Sequence, residues 1–145
     1  MPNSEQRIEA LTNDDVDRIA RQLIHAGSVA RDICGKSLDG TMADLVILQE
    51  ILDAHSIERD ATYTLQALGV AFGRVFLQTH PGYDWWMVED EGGRDPAIRY
   101  RESTLLCFPQ TMLSKRIEDG ETVNVAELFE QLSQRLETLV DQGWT

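Results

Sequence analysis

Apolar residues recur at intervals of three and four along most of this chain, and the interval shortens to two only near the middle. Asn13 stands where a helix N-cap is expected, and Asp14, Asp15 and Asp17 follow where carboxylates complement the helix dipole. Val16, Ile19, Ala20, Leu23 and Ile24 then form an apolar stripe, which Ala30 and Ile33 extend towards a stop at Gly35. Gly27 weakens this helix and marks a bend or a close contact. A turn over residues 36–40 leads to a second helix, capped by Thr41 and running to about Ala54, with Leu45, Leu48, Ile51 and Leu52 as its buried side. A third helix opens at Asp60 or Ala61 and runs to about Thr79 on Leu65, Leu68, Phe72, Val75 and Phe76. Gly69 and Gly73 lie four apart and share a face, which predicts a groove where another helix or the sheet packs closely. Residues Met1 to about Leu11 carry weak signals and are expected to fray or pack loosely.

His80-Pro81-Gly82 ends the third helix, and the period changes. Trp85 to Glu89 predicts a strand, with Trp85 and Met87 on one face and Trp86 and Val88 on the other. Both sets are apolar, so the strand is expected to be covered on both sides. Asp90 to Pro96 predicts a glycine turn. Ala97 to Arg101 and Thr104 to Phe108 predict returning strands, or one bulged strand, ended by Pro109. A short helix over Gln110 to Ile117 and a tight turn at Asp119-Gly120-Glu121 follow. The last helix opens at Asn124 or Val125 and carries Leu128, Phe129, Leu132, Leu136, Leu139 and Val140 to a stop at Gly143. Three N-terminal helices, a small antiparallel sheet (a hairpin or three strands) and two C-terminal helices define an α+β fold. With 145 residues and no repeat or linker, the chain is expected to form a single globular domain over residues 1–145.

Net charge changes the picture. At -12 the chain disfavours nucleic acid and anionic membrane, whose phosphates call for Lys and Arg, and suits a basic protein partner. The plainer account of the same charge is solvated acidic helix faces. Two isolated cysteines, Cys34 and Cys107, form no disulfide framework and read as small buried hydrophobes in a reduced compartment. The start MPNSEQRIEA lacks the features of a signal peptide, and no apolar run approaches the roughly 20 residues that span a bilayer. A cytoplasmic location is therefore expected.

Candidate chemistry is sparse. Glu89, Asp90, Glu91 and Asp95 crowd the predicted turn, but their spacing does not match a calcium loop, and hairpin turns favour Asp and Gly for backbone reasons. His25, His55 and His80 are scattered, and no metal site or cofactor is expected. Cys107 lies between Leu106 and Phe108, where burial makes a thiol inert. No GxSxG, GxxxxGK[ST] or GxGxxG occurs, so no catalytic residue is assigned. Arg94, Arg99, Arg101, Lys115 and Arg116 concentrate the basic charge. Arg99 and Arg101 are expected on one face, able to take a carboxylate or phosphate, with internal pairing to Asp90, Asp95, Glu102 and Glu118 as the competing account. Trp85 or Trp86 is expected to be part-exposed and to mark an interaction surface.

LGVAFG at Leu68 to Gly73, then WWMVEDEGGRDPAIRY, then FPQTMLSKRIEDGETVNVAELF give this chain a resemblance. Residues 67–131 resemble the bacterial domain-of-unknown-function family 3806. The resemblance implies a small bacterial cytoplasmic protein and carries no activity or catalytic residue to transfer. Gly92 departs from it, standing where an aromatic is expected in the turn. The Lys115-Arg116 end of the short helix is expected to pair with the acidic turn.

These features point to a non-enzymatic protein–protein binding module, with Trp85, Trp86, Glu89, Arg99, Arg101, Lys115 and Arg116 as its candidate site. The pattern allows a homodimer. A toxin-neutralising immunity protein is one form of this reading, and an acidic secretion chaperone a less sheet-compatible one. The rival is a small-molecule-binding protein or enzyme whose pocket lies between the third helix and the sheet, around Trp85, Arg99, Arg101 and Glu89.

Overall fold

The computed structural model describes residues 6–143, so the part of the N-terminal expectation that falls on residues 1–5 lies outside the described residues. The order is β1 (Arg7–Glu9), α1 (Asn13–Cys34), α2 (Ala43–Asp53), α3 (Thr62–Thr79), β2 (Tyr83–Asp90), β3 (Gly93–Tyr100), β4 (Leu106–Cys107), α4 (Pro109–Glu118) and α5 (Val125–Asp141). The four strands form one antiparallel sheet in the order β1-β2-β3-β4. The class is α+β, with one strand more than expected. Arg7–Glu9 is not frayed: its backbone pairs with Met87–Glu89 and gives β2 a neighbour on its second side. Three residues with a single apolar side chain carry too little alternation to read as a strand.

α3 is the centre of the helical layer. Its Leu68, Val70, Ala71, Phe72, Val75 and Phe76 are inaccessible to solvent, and α1, α2 and α4 pack around it. Both glycines of the predicted groove are used. A Cβ at Gly69 would lie 2.3 Å from the Pro109 carbonyl oxygen, and one at Gly73 would lie 2.8 Å from the Trp85 ring. α4 and β2 therefore approach the α3 backbone at positions where any side chain would stand in the way. Pro109 does end the strand, and it also opens α4 as its first residue, where a missing N–H costs nothing.

Several boundaries shift for local reasons. Thr12, not Asn13, caps α1: its hydroxyl accepts from the Asp15 N–H, and the Asp15 carboxylate accepts from the Thr12 N–H, a reciprocal capping box. Thr41 does not cap α2, whose cap position is Met42; the Thr41 hydroxyl donates instead to Asp39. The hairpin turn is tighter than expected, since Asp90 pairs directly with Gly93 and only Glu91 and Gly92 lie between. Pro96 is tolerated within β3 because β4 pairs only with Ile98 and Arg99, which leaves β3 an edge at Pro96.

The predicted stripe of α1 is rotated. Val16 is 51% and Ile24 69% exposed, whereas Asp15 and Gln22 are buried at 4% and 7% together with Ile19, Ala26 and Ala30. Two polar residues thus occupy the inner side of a helix that had apolar ones to offer. Among the described residues, no helix is long and apolar enough to cross a membrane.

Candidate functional site

Opposed residues in an antiparallel sheet share a face, so the register sorts the side chains. Tyr83, Trp85, Met87 and Glu89 of β2 lie with Tyr100, Ile98, Pro96 and Arg94 of β3 on the inner face. Trp85 and Tyr83 pack against the helical core there. The outer face carries Trp86, Val88, Ala97, Arg99, Leu106 and Ile8, none of which belongs to that core. β2 is therefore not covered alike on both sides.

Trp86 is half-buried at the middle of the outer face. The Arg99 guanidinium carbon sits 4.5 Å from the centre of its ring. Arg99 is itself fixed by the β3–β4 loop: Nε donates to the Ser103 carbonyl at 2.7 Å and Nη2 to that of Glu102 at 2.8 Å. Exposed Asp84 and Asp90 of β2 and Asp95 of β3 belong to the same face by register. The surface is an apolar centre under a held cation, with carboxylates around it.

The inner face ends in a charged cluster that ties the hairpin to α1. Arg94 Nη2 lies 2.6 Å from the Asp15 carboxylate, Nη1 pairs with Glu9, and Glu89 lies 3.6 Å from Arg94 and 3.2 Å from Arg7. The hydrogen bond from Arg94 holds the Asp15 carboxyl down to about 2, against the burial that would raise it. Beside this cluster, α1, α3 and the sheet leave a cavity of about 350 Å³. Ile19 of α1 with Met87 and Pro96 of the sheet supply its apolar lining; Arg18, Gln22 and Gln66 are among its polar residues.

The predicted site residues thus separate. Trp86 and Arg99 come together on the outer face, while Trp85 and Glu89 lie on the inner one. Arg101 does not share a face with Arg99: it lies beyond the end of β3, with a backbone φ of 48° in the turn, and its guanidinium sits 5.1 Å from the Tyr100 ring. The expected anion-receiving pair is not formed. Lys115 is exposed and makes no ion pair among the described residues; Arg116 donates to the Met112 carbonyl of its own helix. Of the acidic turn only Glu89 is paired among the described residues, with Arg7 and Arg94, because β1 lies against that end of the hairpin. The buried Gln22 and the Asp15–Arg94 pair were missed by sequence reasoning. The one signal available was Asp15 itself, three residues beyond a threonine in a capping-box spacing.

Other reactive groups are occupied. Burial pushes the Cys107 thiol up to about 12. His25 is hydrogen-bonded to the Thr64 hydroxyl at 2.9 Å, and His80 stacks on Phe76 with ring centres 3.8 Å apart. Among the described residues, no group of three or more His, Cys, Asp or Glu is arranged to hold a metal ion.

Residues 44–129 match the family model described as Domain of unknown function (DUF3806), over more than half of the chain. The chain belongs to this family. The matched span includes α2, all of α3 and the sheet strands β2 to β4, so it begins earlier than the 67–131 segment on which the resemblance was read. No curated protein matches the chain. A crystal structure from Bacteroides thetaiotaomicron VPI-5482 is similar in fold, with a TM-score of 0.84 at 16% identity. The alignment covers 92% of this chain and 49% of that one, so this chain spans about half the length of its structural relative.

Proposed function

We propose that this DUF3806 protein is a non-enzymatic, cytoplasmic binding module that docks a basic protein partner on the outer face of its sheet. The observation that carries this reading is Trp86, placed at the centre of that face beneath the Arg99 guanidinium at 4.5 Å. Tryptophan at the middle of a patch buries much area for little entropy and dominates interface energies. Arg99 is held by two carbonyls before any partner arrives, so little freedom remains to be lost on binding. Asp84, Asp90 and Asp95 belong to the same face, and the chain as a whole is at -12, which steers a basic partner towards it. A high thiol pKa at Cys107 and histidines engaged in packing support a non-catalytic role. A partner that is itself a toxic enzyme gives the narrower form of the reading, an immunity protein.

The test is capture from the native host followed by calorimetry on the captured partner. Trp86→Ala, with an unchanged melting profile, is expected to weaken binding by about 2 kcal/mol, roughly thirtyfold. A partner bound equally by wild type and Trp86→Ala refutes the assignment of this face.

A further inference from the structure

The cavity between α1, α3 and the sheet differs in charge from the rest of the molecule. Arg18, Arg21 and Arg94 line it against Asp15 and Asp95. In a chain at -12, this is a local excess of positive charge. The molecule's other large groove, between the end of α2 and the α4–α5 turn, is lined by Asp53, Glu58, Asp60, Glu118 and Glu121 against Arg59 alone. A positive recess with low-dielectric walls concentrates small anions, and the acidic surface around it leaves this recess as the place where one can settle.

Within the cavity the charges divide further. Arg94 is answered by Asp15 at 2.6 Å, by Glu9 and by Glu89 at 3.6 Å, and so leaves no charge for a ligand. Arg18 and Arg21 lie three apart on α1, share a side of the helix and make no ion pair among the described residues. Their charge is what remains for a ligand. Gln22 is 7% exposed and lines the cavity, and the Oε1 of Gln110, in the same lining, is buried without a hydrogen-bond partner. A buried acceptor without a partner is costly, so the Gln110 oxygen favours a donor in this space, and α1 turns Val16 and Ile24 to solvent while keeping Gln22 at the cavity wall. Packing alone would favour the opposite choice. The Gln66 and Gln110 amides, 3.3 Å apart, line the same space, and Ile19, Met87 and Pro96 supply the apolar surface.

We infer that this cavity binds a small organic monoanion: a carboxylate on a ring or short apolar body that also carries a hydrogen-bonding substituent. Arg18 and Arg21 receive the carboxylate at the mouth, the body lies on Ile19, Met87 and Pro96, and the Gln22 amide meets the substituent. A single negative charge matches the excess left once Arg94 and Asp15 have paired; the nearby Asp15 carboxylate disfavours a doubly charged phosphate. The volume of about 350 Å³ is at the small end of ligand pockets. This inference is independent of the outer-face reading: the residues that hold the anion are not those around Trp86, and Asp95, at the rim of the sheet, is the one residue named in both.

The test is a heteronuclear NMR titration of the whole chain with 4-hydroxybenzoate, benzoate and inorganic phosphate. 4-Hydroxybenzoate is expected to shift the Gln22 and Gln66 side-chain amides and the backbone of residues 18–22 and Met87 saturably, with a Kd of about a millimolar or tighter. Arg18→Ala with Arg21→Ala, both at exposed positions, should weaken it by about tenfold. Gln22→Leu should remove the preference for 4-hydroxybenzoate over benzoate while benzoate still binds. Trp86→Ala should leave both unchanged, so the two proposals fail separately. Shifts absent from these residues, shifts undiminished in the double arginine variant, or phosphate binding as well as the carboxylates would overturn the inference.

Discussion

Replacing Gly69 by alanine sets two effects of known size against each other. Alanine is the better helix former by about 1 kcal/mol, so the α3 helix itself gains. Against this, the new methyl would lie 2.3 Å from the Pro109 carbonyl oxygen and 2.9 Å from that of Gln110. Carbon and oxygen normally approach to about 3.3 Å, so the shortfall is about 1 Å. The obstacle is α4 backbone, which no side-chain rotation relieves. α4 must move away from α3, opening a contact between two buried helices. Overpacking of this kind costs up to about 3 kcal/mol, which leaves a net loss of about 2 kcal/mol. For a chain of this length that lowers Tm by roughly 6–8 °C. Gly27 provides the control. It too lies within a helix, but a Cβ there meets nothing closer than the Arg31 side chain at 3.8 Å. Gly27→Ala is therefore expected to stabilise by about 0.5–1 kcal/mol. Thermal and urea denaturation followed by circular dichroism on both variants separate the effects. If Gly69→Ala melts at or above wild type while Gly27→Ala is stabilised, the close approach of α4 to α3 is wrong.

Two further outcomes follow from buried carboxylates. The Asp15 carboxyl is held at about 2 in the fold against an ordinary 3.8, so the folded state binds its proton less readily than the unfolded chain. Its contribution is complete above pH 3.8 and is lost as pH falls towards about 2. Asp15→Asn should therefore be less stable than wild type at pH 7, with a gap that closes through that window; a gap independent of pH would contradict the Arg94 pairing. Asp44 is fully buried and accepts from the Asp39 and Gly40 N–H groups at 2.9 and 2.8 Å, with Arg74 at 3.4 Å. Asp44→Ala should cost about 3 kcal/mol in urea denaturation, because two amides and a cation lose their partner, and a loss under about 1 kcal/mol would refute that role.

The long elements were legible because their signals are local. The stripe of α3, the break at His80-Pro81-Gly82 and the aromatic alternation of β2 depend only on neighbours in sequence, and the glycine pair reported a close approach without naming what approaches. The failures are tertiary. β1 exists because β2 offers it an edge, and Arg7–Glu9 in isolation says nothing of that. The inner side of α1 was misplaced because the apolar pattern favours Val16 and Ile24, while the fold buries Asp15 for the sake of Arg94, 79 residues away. Arg99 and Arg101 share a parity but not a strand, since the chain turns at Arg101. Trp86 and Arg99 were both candidates but not as a pair, and their stacking depends on the loop carbonyls of Glu102 and Ser103.

The misreading of α1 bears on what the molecule binds. A helix placed only to complete a core would turn Val16 and Ile24 inward and its glutamine outward. This one does the reverse over the two turns that face the sheet, and there the cavity opens. The same two turns carry Arg18 and Arg21, whose charge no described carboxylate answers. On the opposite side of the sheet the arrangement is inverted: one arginine is tied down over a tryptophan, and the surrounding aspartates remain exposed. The two proposals thus place an anion and a basic partner on opposite sides of one sheet. Met87, which lines the recess, and Val88, which lies on the outer face beside Trp86, are adjacent in β2 and both buried.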